Sequence, residues 1–151
     1  MKIYKSRYTL FLLLAVIVAF SSCKKEEGCT DATADNYNED AEEDDGSCIP
    51  ARDKFLGVYN VNENCDSGNY TFSSVVTTSA SGTDQVVINN FGDYGVNVRA
   101  TVSGSNLNYN DTQGGITFSG SGSIASNTLT LIYTASAGGV TDSCTGTCIK
   151  Q

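Results

Sequence analysis

Residues 96–136 read VNVRATVSGSNLNYNDTQGGITFSGSGSIASNTLTLIYTAS, and this stretch decides the fold. Apolar and polar side chains alternate along four runs, which are separated by Gly104-Ser105, Gly114-Gly115 and Ser126-Asn127. Successive side chains of a β-strand point to opposite faces, so the alternation predicts strands with one buried and one solvated face. Two-residue connections join only antiparallel neighbours. The stretch therefore predicts an antiparallel meander.

The same pattern extends to both sides of this stretch. Eight strands are predicted, over residues 56–64, 69–78, 84–91, 95–103, 106–111, 115–125, 128–136 and 140–150. Closure into a barrel covers the apolar face of such a sheet and removes its unpaired edges. Gly120, Gly122 and Gly146 fall on that face, where glycine permits the sharp coiling of a small barrel. We therefore expect an all-β fold, an eight-stranded antiparallel up-and-down barrel over residues 51–151.

Composition limits the chemistry that the chain can perform. The absence of histidine excludes imidazole bases, Ser-His and Cys-His nucleophiles, and His-ligated zinc. The net charge of −8 and the lack of a basic patch disfavour nucleic acid as a partner. No two barrel carboxylates have a spacing that predicts a shared cleft. These carboxylates are Asp53, Glu63, Asp66, Asp84, Asp93, Asp111 and Asp142. We expect a protein that is not an enzyme.

Residues 1–22 are typical of a signal peptide. Three basic residues precede an apolar run of 11 residues from Leu10 to Phe20, which is too short to span a bilayer as a helix. The sequence Phe20-Ser21-Ser22-Cys23 resembles the lipobox of bacterial lipoproteins, with Phe20 in place of the usual leucine. The resemblance implies cleavage before Cys23 and a lipid anchor on that cysteine. An ordinary cleaved signal peptide, with Cys23 as a structural thiol, is the alternative.

Residues 23–27 are predicted to form a lipidated tether. Their charged tetrad, Lys24 to Glu27, resembles the surface-export signals of Bacteroidota lipoproteins, and a solvated tether is the alternative. Two or more acyl chains anchor a protein stably, whereas one chain anchors it marginally. The expected location is the outer membrane or the cell surface, with the membrane as a partner through the N-terminal lipid.

An acidic segment follows, which we assign to residues 28–50. Residues 28–48 read GCTDATADNYNEDAEEDDGSC and resemble a short repeat of secreted Bacteroidota proteins, of the form GCTD, A, NYN, A and DDGSC. Cys29 and Cys48 can pair in an oxidising compartment. Closing a loop of this length stabilises the fold by about 3 kcal/mol. A segment with so few hydrophobic residues would be disordered without that disulfide.

The acidic segment also suggests a calcium site. Ten of the 17 acidic residues lie between Glu26 and Asp45, and closely spaced carboxylate and amide oxygens suit a hard cation. The segment does not match the EF-hand pattern, and a solvated acidic spacer is the alternative. The candidate calcium ligands are Asp31, Asp35, Asn36, Asn38, Asp44 and Asp45. No other cofactor is expected.

The start of the barrel resembles a known family. Residues 55–59, FLGVY, are similar to the G-x-W/Y opening of lipocalin-like (calycin) barrels, and Bacteroidota lipoproteins with a compact lipocalin-like domain share this appearance. The resemblance implies a disulfide between Cys65 and Cys144, which would join the first strand to the last. Cys148 is then left as a buried free thiol. A disulfide between Cys144 and Cys148 is the alternative.

Two functions follow from these features. An eight-stranded barrel encloses either packed side chains or one small ligand. Either a small apolar molecule or the core itself would then occupy the space between Tyr59, Tyr70, Phe72, Tyr109, Phe118, Leu131 and Tyr133. Alternatively, the chain is a structural or interaction protein of the cell surface, with the acidic segment as stalk or calcium clip and a Thr/Ser/Asn outer wall as contact surface. A monomer is expected in either case.

Overall fold

The computed structural model describes residues 25–151, so the predicted signal peptide and the lipid site at Cys23 lie outside the described residues. That part of the chain forms a small acidic module, residues 25–50, followed by a closed antiparallel barrel. None of its helices has the length and hydropathy to cross a membrane.

The secondary structure of the described residues consists of ten strands and one 3₁₀ helix. Strands β1 (Glu27–Gly28) and β2 (Glu43–Asp44) belong to the module, and the 3₁₀ helix spans Ala51–Phe55. The barrel strands are β3 (Gly57–Cys65), β4 (Gly68–Thr78), β5 (Gln85–Phe91), β6 (Val96–Ser103), β7 (Asn106–Gln113), β8 (Ile116–Ala125), β9 (Thr128–Ala137) and β10 (Val140–Lys150). The predicted eight-stranded all-β barrel is confirmed, with strand ends within two residues of their predicted positions.

The barrel closes between its first and last strands. Each strand pairs with its neighbour in sequence, and β10 then pairs with β3 from Cys144 opposite Cys65 to Lys150 opposite Tyr59. A disulfide joins Cys65 to Cys144 at one end of this seam, as the resemblance implies. The sheet therefore has no free edge.

Alternate side chains of every barrel strand fill the interior. Val98, Ala100 and Val102 of β6 are buried, whereas the residues between them are exposed. Phe91 lies at the centre of an aromatic cluster, with its ring centroid 4.7–5.2 Å from those of Tyr109, Phe118 and Tyr133. Edge-to-face contacts of this kind stabilise a core beyond the area that they bury.

The 3₁₀ helix closes one end of the barrel, which we call the closed end. Phe55 is fully buried beneath the core, and its carbonyl accepts a hydrogen bond from the Tyr59 hydroxyl (2.8 Å). The Arg52 guanidinium donates to the carbonyls of Ser79, Gly82 and Gln85 around the β4–β5 loop. The first strand was predicted to begin at residue 56, and it begins at Gly57, because the chain forms the 3₁₀ helix up to Phe55.

The acidic module lies against this closed end. Cys29 and Cys48 form a disulfide, and Cys29 is buried. Lys54 of the 3₁₀ helix forms an ion pair with Asp35, and a β-bridge joins Ala34 to Pro50. Residues 25–27, predicted as tether, are part of the module, since the Glu26 carbonyl accepts hydrogen bonds from residues 42 and 43. The module is therefore a folded base and not a loose spacer.

Candidate functional site

The opposite end of the barrel, which we call the open end, carries the turns at residues 66–67, 92–95, 114–115 and 138–139. A small cavity lies in the core between β3, β4, β5, β9 and β10, and Gly92 of the 92–95 turn is the lining residue that belongs to the open end. Ten of its twelve lining residues are buried, and the two half-buried ones are Phe72 and Gly92. The cavity therefore meets the surface between β4 and the 92–95 turn.

The cavity is very small. Its volume is about 10 Å³, which is room for about one water molecule. Sites for drug-sized molecules measure about 300–1,000 Å³. In this conformation the interior is filled by its own side chains.

The predicted ligand-contacting residues divide into two groups. Six face the interior: Tyr59, Phe72, Tyr109, Phe118, Leu131 and Tyr133. Tyr70 does not, which corrects the prediction: its side chain is 42% exposed, and its hydroxyl lies 3.2 Å from Ser67 Oγ. Tyr70 lies on the inward side of its strand, but it is only the third residue of β4 at the open end, and its side chain stays exposed.

Glu63, which was not among the predicted site residues, is the charged residue that lines the cavity. Its side chain is only 5% exposed, it lines the cavity, and Tyr133 Oη donates a 2.8 Å hydrogen bond to its Oε1. Burial raises the pKa of Glu63, and the charges of Asp142 and Asp93 raise this pKa further. The sequence already indicated that Glu63 faces the interior, because it follows Tyr59 and Val61 at every second position of the strand.

Other buried polar groups surround Glu63. The Tyr109 hydroxyl is buried without a hydrogen-bond partner, and burial, with the nearby Cys148 and Glu63, raises its pKa. Cys148 is buried without a disulfide partner, as predicted, and burial raises its pKa to about 12. The alternative Cys144–Cys148 disulfide is wrong, since residues four apart in a strand are separated by about 13 Å.

Carboxylates also surround the rim of the open end. Asp142 accepts hydrogen bonds from the backbone and the hydroxyl of Ser67, and Asp66 accepts one from Ser143 N (3.3 Å). Asp93 lies in the 92–95 turn and accepts a bond from the Asn90 side chain (3.3 Å). The barrel carboxylates are thus less dispersed than the sequence suggested, since Glu63, Asp66, Asp93 and Asp142 share one end. Asp53 and Asp84 lie at the closed end, and Asp111 lies in β7.

Among residues 25–151, no basic side chain lies at the turns of this end. In the described part of the chain, the basic side chains are Lys25 of the module, Arg52, Lys54 and Lys150 at the closed end, and Arg99, exposed on the outer wall. The turns of the open end and the strand ends beside them therefore carry acidic and no basic side chains within the described residues.

The candidate calcium ligands bind the chain itself. Asp31, Asp44 and Asp45 accept hydrogen bonds from backbone N–H groups two residues further on, and Asn38 does the same for Asp40. Asp35 pairs with Lys54, and Asn36 bonds Ser47 O and Ile49 N (2.7 Å each). Within residues 25–151, three potential Cys, Asp or Glu ligand atoms converge only at Glu63, Cys65 and Cys144. These two cysteines form a disulfide and offer no thiolate to a metal.

Comparisons with protein-family models, with curated proteins and with solved structures gave no match to this chain.

Proposed function

We propose that the chain is a lipid-anchored interaction protein of the outer membrane or the cell surface, with a lipocalin-like barrel and no catalytic role. The observation that carries this proposal is the filled interior. A cavity of about 10 Å³ leaves no room for a substrate or for the enclosed apolar ligand of a larger barrel. The outer wall and the two ends of the barrel are then the surfaces that contact other molecules.

The position of the module supports a defined orientation on the membrane. Lys25 belongs to the module, and the module lies against the closed end. Two residues of chain span at most about 7 Å, so a lipid on Cys23 would hold the module close to the bilayer. The closed end then faces the membrane, and the open end faces away from it.

The outer wall supports a contact role because it is continuous and uncharged over three neighbouring strands. The outward residues of β8, β9 and β10 are Thr, Ser, Ala and Ile. Thr145, Ile132 and Ser121 form one cross-strand row, and Thr147, Thr130 and Ser123 form the next. Such a wall suits a neutral, hydroxyl-rich partner, since it presents both donors and acceptors without charge.

The anchor is tested by labelling. In a bacterial host that processes lipoproteins, an alkynyl palmitate is expected to label the full-length chain, which should fractionate with membranes. Cys23→Ser is the matched control and should lose both the label and the membrane association. Equal labelling of both proteins, or labelling of neither, would contradict the anchor.

The orientation is tested on the lipidated protein in vesicles. A fluorophore attached at Asn127→Cys, on the closed-end turn, should be quenched by head-group quenchers more strongly than one at Val140→Cys. Val140 is 73% exposed at the open end. Equal quenching at both positions would contradict the orientation while leaving the anchor intact.

A further inference from the structure

We propose that the 92–95 turn is a pH-dependent lid on the open end of the barrel, closed over a protonated Glu63 and opened by the ionisation of its carboxyl group. This inference goes beyond the proposed function and does not depend on the lipid anchor, because every residue that it uses belongs to the barrel.

The turn lies directly on the hydrogen-bonded pair of Glu63 and Tyr133. Glu63 is 5% exposed, and Tyr133 Oη donates a 2.8 Å hydrogen bond to its Oε1. A Cβ built at Gly92 would lie 2.6 Å from the same Tyr133 Oη, so the backbone of the turn packs tightly against this hydroxyl. Phe72 and Gly92 are the half-buried residues of the cavity that Glu63 lines. The turn is therefore part of the barrier between Glu63 and solvent.

The side chain of Asn90 fastens the turn to β4. Asn90 Nδ2 donates to the Ser73 carbonyl (2.9 Å), and Asn90 Oδ1 accepts a hydrogen bond from Gly95 N (3.1 Å). Both hydrogen bonds are exposed to solvent, and the aromatic ring of Tyr94 in the same turn is 44% exposed. Segments whose hydrogen bonds are exposed open at a lower free-energy cost than the strands of a core. The turn can therefore open while the barrel stays folded.

An ionised Glu63 has no cation to compensate its charge. Burial raises the pKa of Glu63, and the charges of Asp142 and Asp93 raise this pKa further. Among the described residues, no lysine or arginine lies at this end of the barrel. A buried charge without a partner is unfavourable, whereas the neutral acid suits a dry interior. Ionisation of Glu63 therefore favours a state in which the turn, with Asp93, moves outward and water reaches the carboxylate.

Glu63 is the buried group at this end that loses its proton first as the pH rises. Thiols and phenols ordinarily ionise above about pH 8. Burial raises the pKa of the Cys148 thiol to about 12, and Cys65 and Cys144 form a disulfide and do not titrate. The titratable and charged groups around Glu63 are Tyr70 of β4, Tyr109 of β7, Tyr133 of β9, Asp142 and Cys148 of β10, Asp93 and Tyr94 of the 92–95 turn, and Asp66 of the 66–67 turn.

Amide hydrogen exchange of the full-length protein measures the opening. Tyr94 N donates to the Phe91 carbonyl and Gly95 N to Asn90 Oδ1 (3.1 Å each), so these two amides exchange when the turn opens. After correction for the intrinsic effect of pH on exchange, their protection should fall by about tenfold per pH unit between pH 4.5 and the raised native pKa of Glu63, because opening releases one proton. The Ser79 amide, hydrogen-bonded at the closed end, should keep its protection.

Two results of this measurement would overturn the proposal. Protection of the Tyr94 and Gly95 amides that does not change with pH would show that the turn does not respond to Glu63. An equal fall at Ser79 would show that ionisation loosens the whole barrel and not the turn.

Variants assign the response to Glu63. Glu63→Gln keeps the size of the side chain and an acceptor for Tyr133 but cannot ionise, so protection of the turn should become independent of pH. Asp84→Asn, at the closed end, removes the same charge and should keep the wild-type response. A Glu63→Gln protein with the wild-type response would contradict the lid.

Asp93→Asn gives a second reading if Glu63→Gln does not fold. It removes a charge that raises the pKa of Glu63, so the fall in protection should be smaller and should end at a lower pH. Asparagine also tolerates the positive φ of 61° at this position. A fall in protection identical to that of the wild type would count against the proposal.

Discussion

Replacing both Cys65 and Cys144 with alanine is expected to lower the free energy of unfolding by about 4.5 kcal/mol on the chain-entropy model. The two cysteines are 79 residues apart, so their disulfide closes most of the barrel into one loop. It restricts the unfolded chain, and in the native state it joins β3 to β10. Urea denaturation of the two proteins measures the loss.

Cys148→Ala is the matched control for this variant. Cys148 lies on the same strand and the same face as Cys144, and it is equally buried, but it forms no disulfide. The control should lose much less stability than the double variant, because it removes one sulfur from the core and no cross-link. Equal losses in the two proteins would contradict the role of the Cys65–Cys144 disulfide.

Gly120→Ala is expected to cost about 3 kcal/mol or more, because it overpacks the closest approach between two strands. A Cβ at Gly120 would lie 2.2 Å from the Ile132 carbonyl oxygen and 2.6 Å from Tyr133 Cβ. The first of these atoms is backbone and the second is fixed to it, so neither can move without shifting β9. Thermal or urea unfolding measures the cost.

Gly146→Ala is the control, since Gly146 is also an inward glycine of the barrel. The nearest atom to its added Cβ would be Glu63 Oε1 at 3.5 Å, which is an ordinary contact. This variant should change stability by about 1 kcal/mol or less, since alanine also restricts the unfolded chain. If both variants lost the same stability, the close approach at Gly120 would not be the cause.

The barrel could be predicted from the sequence because its strands follow the two-residue period and its turns are short. The three consecutive apolar residues Val86, Val87 and Ile88 did not indicate which of them face the interior. In the structure, Val86 and Ile88 are buried and Val87 is half-buried. The alternation of residues gives the face of the sheet on which a side chain lies, but not its position along the barrel axis. For this reason Tyr70 was wrongly predicted to lie in the interior. Height depends on where each strand ends and on the neighbours that pack above it.

The candidate site was predicted only in part. The alternation of residues predicts which aromatic side chains line the interior. The volume of the cavity depends instead on how those side chains pack together. The cluster of Glu63, Asp93 and Asp142 brings together residues from different strands and turns, and their spacing along the chain carries no signal of it. In the acidic module, local spacing suggested a cation site, but most of these oxygens hold the module's own backbone.

The closed, filled barrel buries one carboxylate, that of Glu63. The pKa of Glu63 is raised by burial above the ordinary value of 4.5. The folded state therefore binds this proton more tightly than the unfolded state does. The contribution of Glu63 to stability is thus most favourable at pH values below 4.5, and it is lost as the pH rises through the raised native pKa.

The most direct test is a ¹³C NMR titration of the Glu63 side-chain carboxyl in the full-length protein, assigned with Glu63→Gln. We predict a titration midpoint clearly above 4.5. A midpoint at or below 4.5 would mean that water reaches Glu63, and it would contradict the filled interior.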